Sequence, residues 1–279
     1  MTLSEGEGQG RRIVFLAVWL LLVGLAAGLL VQTRVLQVMD QYLQDALTRI
    51  QAPVAAPDGI TLIDIDERSL QELGPWPWPR PVLAQLSHAL RERGARLQVW
   101  DLVLPHEAPG DAALSRELAH PDVVVGQIAV LDPQVDSPPR EGRLQPGPQA
   151  PDLCSRHAPV TGHLGLSPSL SAPHIGHLSA TPDPDGLLRR IPAVICDQTH
   201  RYPQLALAAA IAATPDQAWQ TTPGDWPLGP HQWLTRGPWR FALDADGYLP
   251  IPYQRPHSAW PAISASRLLD PAAALPSLN

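Results

Sequence analysis

Residues 60–80 read ITLIDIDERSLQELGPWPWPR, and this stretch predicts the first strand–helix step of the fold. Residues 60–65 form a short apolar run, which is typical of a strand buried on both faces. Asp66 is placed to cap a helix over residues 67–73. Gly74 is placed to end that helix, because glycine accepts the backbone conformation that follows a helix. The stretch therefore predicts a buried strand that leads directly into a helix.

The segment GPWPWPR, residues 74–80, joins this helix to a second one that starts at Pro81. Proline fixes φ and restricts the residue before it, so the alternating prolines hold Trp76 and Trp78 in an extended backbone. We predict a rigid corner, because a docking peptide has to protrude and a corner between packed helices does not. Two fixed indoles beside Arg80 leave ligand contact as a second interpretation.

The alternation of strand and helix continues beyond this corner. Helix, strand, helix and strand follow in turn over residues 81–93, 97–104, 111–119 and 123–130. This order and spacing predict a right-handed, largely parallel α/β sheet. Residues 132–160 have no apolar period and many prolines, which indicates an irregular loop.

Two Asp-x-Asp-Gly turns predict antiparallel hairpins in the C-terminal half. The DPDG turn at residues 183–186 would join strands over residues 175–178 and 187–195, and the DADG turn at residues 244–247 would join two more strands. A helix is predicted between the hairpins, over residues 204–213. The predicted fold class is α/β, with a largely parallel sheet plus antiparallel hairpins.

An uncharged apolar run, IVFLAVWLLLVGLAAGLLV, precedes this domain at residues 13–31. It is close to the roughly 20 residues that a membrane-spanning helix needs, and it exceeds the roughly 7–15 of a signal peptide, the less favoured alternative. Arg11 and Arg12 precede the run and only Arg34 follows closely, which places the N-terminus in the cytoplasm. The predicted order is a cytoplasmic tail, a transmembrane helix, an amphipathic juxtamembrane helix and an extracytoplasmic domain, over residues 1–12, 13–31, 32–51 and 52–279.

The same N-terminal region carries a pattern for self-association. Gly24 and Gly28 form a GxxxG pattern, which lets two helix backbones approach closely. An apolar seam at 3-4-3-4 spacing continues it through Leu36, Met39, Leu43, Ala46 and Ile50. The seam fits a homodimer stalk and, equally well, an amphipathic helix packed on its own domain.

Composition limits the partners and the redox chemistry. The 20 basic residues are all Arg, and the net charge is −7 with no basic stripe, so we expect no nucleic-acid partner. Cys154 and Cys196 are the only cysteines. A disulfide is permitted in an extracytoplasmic domain, although two free core cysteines are equally compatible with the sequence.

Carboxylates follow the first two predicted strands. Asp64 and Asp66 end the first strand and Asp101 ends the second, so a parallel sheet would gather the three at one edge, where a cationic ligand could bind. Capping by Asp66 and an Arg80–Asp101 ion pair would explain these carboxylates without a ligand. Arg189 and Arg190 alternate across their strand, so one of them could bind an anion. The predicted ligand-contacting residues are Asp64, Asp66, Trp76, Trp78, Arg80, Asp101 and Arg189.

Metal and catalytic motifs are not found. His174 and His177 are three apart on a predicted strand, which sends their side chains to opposite faces. With His157, His163 and Cys154 upstream, they are interpreted as solvated loop histidines rather than a metal site. The sequence contains no GxSxG, P-loop, HExxH or CxxC motif, so we predict no catalytic and no metal-binding residues, and it identifies no cofactor.

Several fragments, in order, resemble the second type of CHASE domain, an extracellular sensory domain found with bacterial cyclases and histidine kinases. They are IDIDERSL, LGPWPWPR, a helix ending RGA, a strand ending WD, DPDGLLRR, YPQLALAAA and DADGYLPIPY. The resemblance runs from about residue 40 to the end, and WPWPR and DGLLRR are its most specific parts.

This resemblance implies a non-enzymatic sensory region of a receptor in the bacterial inner membrane. Such a region would bind an unknown small molecule and signal to a cytoplasmic output module absent from this chain. The family pattern would continue past Asn279 into another strand, a glycine-rich turn and returning membrane helices, so we expect either a fragment of a receptor or a receptor that has lost its output. Two alternatives are a membrane-tethered enzyme that uses Asp64, Asp66 and Asp101, and a scaffold that only dimerises or holds a partner.

Overall fold

A computed structural model describes residues 4–31, 59–183, 185–225, 229–253, 256–275 and 277–278. The chain divides into two compact units, Met1–Ala56 with Tyr253–Pro256 and Pro57–Pro252 with His257–Asn279. The described part of the first unit contains helix α1, Ser4–Val31. The predicted helix over residues 32–51, with its apolar seam, lies outside the described residues.

Helix α1 covers the apolar run at residues 13–31, so the prediction of a helix there is confirmed. Of the helices in the described ranges, none has the length and apolar character that crossing a membrane requires. A Cβ added at Gly24 or Gly28 would meet no atom of the described residues within 4 Å.

The second unit mixes helices and strands, which confirms the predicted α/β class. Its helices are α2 Glu67–Leu73, α3 Arg80–Glu92, α4 Asp111–Leu118, α5 Leu205–Ala213 and α6 Ala265–Leu269. Its first seven strands are β1 Leu62–Asp64, β2 Gln98–Trp100, β3 Val123–Val130, β4 Arg140–Glu141, β5 Gly162–Leu164, β6 His174–His177 and β7 Arg190–Pro192. The others are β8 Val194–Cys196, β9 Arg201–Pro203, β10 Gln220–Pro223, β11 Gln232–Arg236, β12 Trp239–Leu243, β13 Tyr248–Pro250 and β14 Ala262–Ser264.

Strand β3 is the centre of the largest sheet. Strands β2 and β6 flank it in parallel, β5 pairs with it antiparallel, and β4 pairs parallel with β5. Val123, Val124 and Val125 of β3 are completely buried, as expected of a parallel strand that is covered on both faces. Of the strands predicted to be parallel, β2 and β3 pair as predicted, and β6 adds a second parallel partner that the sequence did not predict.

Strand β1 is not part of that sheet. It pairs parallel with β14, with Leu62 opposite Ala262 and Asp64 opposite Ser264. The prediction that β1 lies in one sheet with β2 and β3 is therefore wrong. Local sequence could not show this, because the partner strand lies about 200 residues further along the chain.

Both predicted hairpins are also wrong in their pairing. Strand β6 pairs with β3, and residues 187–195 divide into β7, which pairs with β13, and β8, which pairs with β9. Strand β12 pairs with β11 rather than with β13. The two tight turns do form, with Gly186 and Gly247 at φ of 81° and 78°. An Asp-x-Asp-Gly turn fixes a chain reversal, whereas the strand partner depends on which apolar faces are buried together.

The described residues of the second unit form one large hydrophobic cluster, the main cluster, and three smaller ones. The main cluster packs α3 and α4 on β3 and β6, with Leu83, Leu114 and Leu118 fully buried, and Ile263 and Leu268 from β14 and α6 complete it. The second cluster joins β8, α5, β11 and β12 through Val194, Leu207, Leu234 and Leu243. The irregular region predicted over residues 132–160 borders this second part and contains only the short strand β4.

The proline–tryptophan segment is a corner between α2 and α3, as predicted. Trp78 is 3% exposed, and its indole Nε1 donates to the carbonyl oxygen of Gly74 at 2.8 Å. Trp76 is 40% exposed and meets Trp78 edge-on, with ring centroids 5.9 Å apart. One indole therefore belongs to the core, and the other covers it from outside.

Trp78→Ala is expected to destabilise the second unit by about 3–5 kcal/mol, because it empties a large core site. Trp76→Ala is the matched control and is expected to cost about 1 kcal/mol, close to the value of one edge-on aromatic contact. Guanidinium unfolding followed by circular dichroism measures both. Equal losses from the two variants would argue against this packing.

Candidate functional site

Asp66 has the capping role that the sequence predicts. Its Oδ1 accepts hydrogen bonds from the backbone N–H of Ser69 at 2.8 Å, from Ser69 Oγ at 2.7 Å and from Ser264 Oγ at 2.9 Å. The Ser69 hydroxyl is the main cause of the lowered pKa of Asp66. Asp64 lies half-buried on β1, opposite Ser264. These carboxylates lie where β14 and the start of α6 dock on the first strand.

Arg80 forms a buried ion pair, but with a different partner from the one predicted. Its Nε donates to Asp111 Oδ1 at 2.9 Å, and its Nη2 donates to the carbonyl oxygen of His106 at 2.8 Å. Asp111 also accepts from the backbone N–H of Ala108. The predicted Arg80–Asp101 pair is therefore wrong, because Asp111, in the first turn of α4, satisfies the guanidinium.

The three predicted carboxylates are not brought together by one sheet. Asp64 and Asp66 belong to the β1–β14 pair, whereas Asp101 is exposed just after β2, in the sheet centred on β3. Within the part of the chain that the structure describes, no group of three or more His, Cys, Asp or Glu side chains is placed to hold a metal ion. The common edge expected from the sequence does not form because β1 pairs elsewhere.

The two consecutive arginines at the start of β7 each hold one Asp-x-Asp-Gly turn. Arg189 contacts Asp183 at 3.0 Å and Asp185 at 2.8 Å. Arg190 contacts Asp244 at 2.9 Å and Asp246 at 3.5 Å, and its guanidinium lies 4.7 Å from the ring centroid of Tyr248. Arg189 lies just before β7 and Arg190 is its first residue, and the two contact carboxylates of different turns.

A half-open pocket of about 160 Å³ lies beside the second turn. One wall is Leu153, Cys154 and Arg156, and the other is Gln232, Leu243 and residues 244–247. We call residues 153–157 the strap and residues 244–247 the acidic turn. None of the seven ligand-contacting residues predicted from sequence lines this pocket.

The strap lies between β8 and the acidic turn. The backbone N–H of Ser155 donates to Val194 O at 2.9 Å, and the Ser155 hydroxyl accepts from the Val194 N–H at 3.1 Å and donates to Gly247 O at 2.5 Å. The backbone N–H of Arg156 donates to Asp246 O at 2.7 Å. Cys154 and Cys196 form a disulfide, which decides between the two alternatives that the sequence left open.

Two histidines, one in the strap and one on β6, lie close enough to interact electrostatically. The backbone N–H of Cys196 donates to His157 Nε2 at 3.1 Å, so the proton is on Nδ1, which donates to Ala158 O at 2.6 Å. His177 is completely buried on β6, and neither ring nitrogen has a hydrogen-bond partner among the described residues. Burial first, and then the nearby His157, lower the pKa of His177 to about 3.

The prediction of solvated histidines is therefore wrong for His177. His174 is half-buried, and burial together with the charge of Arg236 lowers its pKa. Sequence reasoning also missed Arg156, Asp244 and Asp246 as pocket residues. The repeated Asp-x-Asp-Gly pattern was the available signal for the two carboxylates. No local pattern marks the strap, because its position depends on β8 and on the acidic turn.

The fold and the site together define a mixed α/β domain with a parallel core and a small polar pocket between loops. The family model of the CHASE2 domain matches residues 16–278, nearly the whole chain, so the chain belongs to the CHASE2 family. This confirms the resemblance found in the sequence. CHASE2 is a family of extracellular sensory domains rather than enzymes. No curated protein and no solved structure matches the chain significantly.

Proposed function

We propose that this chain is the extracytoplasmic signal-input region of a bacterial transmembrane receptor and binds a small polar ligand between the strap and the acidic turn. The observation that carries the sensory role is the CHASE2 match over residues 16–278. The output module is not part of this chain, and the proposal assigns no catalytic step to it.

The pocket supports a polar ligand because it offers both signs of charge. The Arg156 side chain is 84% exposed and lies 3.1 Å from Asp246 Oδ1. Exposed ion pairs contribute about 0–1 kcal/mol, so a ligand can separate these two groups at little cost. Leu153 and Leu243 add an apolar surface to the walls. The ligand would meet a cation, two carboxylates and an apolar patch.

The size of the pocket restricts the ligand further. Pockets for drug-sized molecules measure about 300–1,000 Å³. The present pocket, at about 160 Å³, is smaller, so the proposed ligand is the size of a small metabolite. The same small volume favours a second candidate function, a scaffold that binds no small molecule, and a ligand screen separates the two.

The proposed membrane attachment and dimerisation rest on sequence. The uncharged residues 13–31 and the preceding Arg11 and Arg12 support a membrane helix with the N-terminus inside. The GxxxG pattern at Gly24 and Gly28 supports pairing of two chains, continued by Leu36, Met39, Leu43 and Ile50.

A reporter fusion after Asn279 tests the location. Alkaline phosphatase requires an oxidising compartment for its disulfides, so we expect an active phosphatase fusion and an inactive β-galactosidase fusion at the same junction. Deleting residues 13–31 is expected to abolish phosphatase activity. The opposite pattern, with active β-galactosidase in the undeleted chain, would place the second unit in the cytoplasm and end the proposal.

A further inference from the structure

The disulfide presents its two sulfur-bearing residues unequally to solvent. Cys154 is exposed and lines the pocket, whereas Cys196 is only partly exposed at the end of β8. The backbone N–H of Cys196 is held by His157. An incoming thiolate therefore has freer access to the bond at Cys154 than at Cys196.

The disulfide is the covalent link that holds the strap on β8. Residues 153–157 form no helix or strand of their own. Besides the disulfide, Ser155 and Arg156 connect the strap to Val194, Asp246 and Gly247, and His157 accepts from the backbone N–H of Cys196. Segments that are not part of a helix or a sheet are among those that open locally while the rest of a domain stays folded.

We propose that the Cys154–Cys196 bond is a thiol–disulfide exchange site for a dithiol reductant, and that exchange at Cys154 releases the strap from the acidic turn. The exchange does not depend on the sensory role. Its consequence for the pocket rests on the proposed function, because a released strap removes the wall that carries Leu153 and Arg156.

The exchange balances as an ordinary two-electron reduction. A thiolate of the dithiol attacks Cys154 Sγ, a new S–S bond forms, and Cys196 leaves with the electron pair of the broken bond and takes up a proton. The second thiol of the reductant then attacks the reductant sulfur of the mixed disulfide, which closes the reductant's own disulfide. Cys154 leaves as a thiolate and takes up a proton. The protein gains two electrons and two protons, and the dithiol becomes a disulfide.

The site of attack is tested by trapping the mixed disulfide. The full chain is purified oxidised, treated with limiting glutathione without denaturant, blocked with iodoacetamide and analysed by peptide mass spectrometry. We expect glutathione on Cys154 and the alkyl group on Cys196, in about tenfold excess over the reverse arrangement. Glutathione mainly on Cys196, or on neither cysteine until denaturant is added, overturns the proposal.

The source of the dithiol is tested in two arms. The oxidised full chain is incubated without denaturant with dithiothreitol or with reduced thioredoxin, and free thiols are counted. Reduction by both identifies a site that a protein dithiol can reach, and reduction by dithiothreitol alone identifies a site for small dithiols. Resistance to both refutes the exchange site.

Release of the strap is tested by trypsin cleavage between Arg156 and His157. We expect cleavage there to become about tenfold faster after reduction, since local opening exposes the backbone, while cleavage after Arg116 in α4 stays unchanged. The double variant Cys154→Ser/Cys196→Ser is expected to be cleaved rapidly with and without reductant. An unchanged rate at Arg156 shows that the strap is not released, and equal acceleration at both sites shows a purely structural disulfide. Either result overturns the proposal without affecting the proposed location, which the reporter fusion tests separately.

Discussion

His177→Leu is expected to remove a large part of the acid sensitivity of the second unit. The wild-type fold holds this imidazole completely buried, without a hydrogen-bond partner among the described residues and close to His157. Protonation there would place an unpaired charge in the core, which is strongly unfavourable. Leucine has a similar size and never takes up a proton.

The direction of the pH effect follows from the two states of His177. Its pKa is lowered to about 3 in the folded protein, by burial first and then by His157. In the unfolded chain its pKa is about 6.5. The unfolded state therefore binds more protons between pH 6.5 and pH 3, and stability falls by about 1.4 kcal/mol for each pH unit below 6.5. At pH 4.5 the loss due to His177 is about 3 kcal/mol.

Urea unfolding of the full chain between pH 7.5 and pH 4.5 measures this difference. The free energy of unfolding of His177→Leu should fall about 3 kcal/mol less than that of the wild type over this range. His106→Gln, which changes an exposed histidine paired with Glu141, is the control and should keep the wild-type slope. Parallel curves for wild type and His177→Leu would show that His177 is not kept neutral by the fold.

Arg80→Ala is expected to destabilise the second unit strongly. Arg80 and Asp111 are both buried, and the substitution leaves the Asp111 carboxylate without its cation. Breaking a buried ion pair on one side costs about 3–5 kcal/mol. Replacing both partners, as in Arg80→Met/Asp111→Leu, should recover most of that loss, because no buried charge is left unpaired.

The exposed pair Arg68–Glu72 is the matched control for this prediction. Its side chains are 58% and 46% exposed, so Arg68→Ala is expected to cost less than about 1 kcal/mol. Thermal unfolding of the four proteins, wild type included, measures the differences. Similar losses from Arg80→Ala and Arg68→Ala would mean that the Arg80 pair is not buried in solution.

Features set by neighbouring residues were predictable from sequence. The cap at Asp66, the stop at Gly74 and the strand Val123–Val130 each depend on a few adjacent side chains, and all three are found in the structure. The CHASE2 membership was also predictable, because WPWPR and DGLLRR are distinctive sequences.

Features set by distant residues were not predictable. The pairing of β1 with β14 depends on the apolar contacts of Ile63 and Ile263 and on the hydrogen bonds of Asp66 and Ser264. The pocket needs three segments that come together only after folding, around Leu153, Gln232 and the acidic turn. Cysteine spacing alone could not decide between a disulfide and two thiols, since that depends on where β8 places Cys196.

The central claim, that this sensory domain binds a small polar ligand beside the acidic turn, is tested most directly by a thermal-shift screen of matched variants. Ala245→Trp would fill the pocket mouth, and Ala274→Trp places the same bulk at an exposed site that does not line the pocket. The probes are amino acids, small organic acids, sugars, nucleosides and inorganic ions. We predict at least one compound that raises the Tm of wild type and Ala274→Trp by about 5–10 °C at one hundred times its Kd and leaves Ala245→Trp unchanged. A screen in which every shift is the same in Ala245→Trp as in the wild type would contradict the account and favour the scaffold.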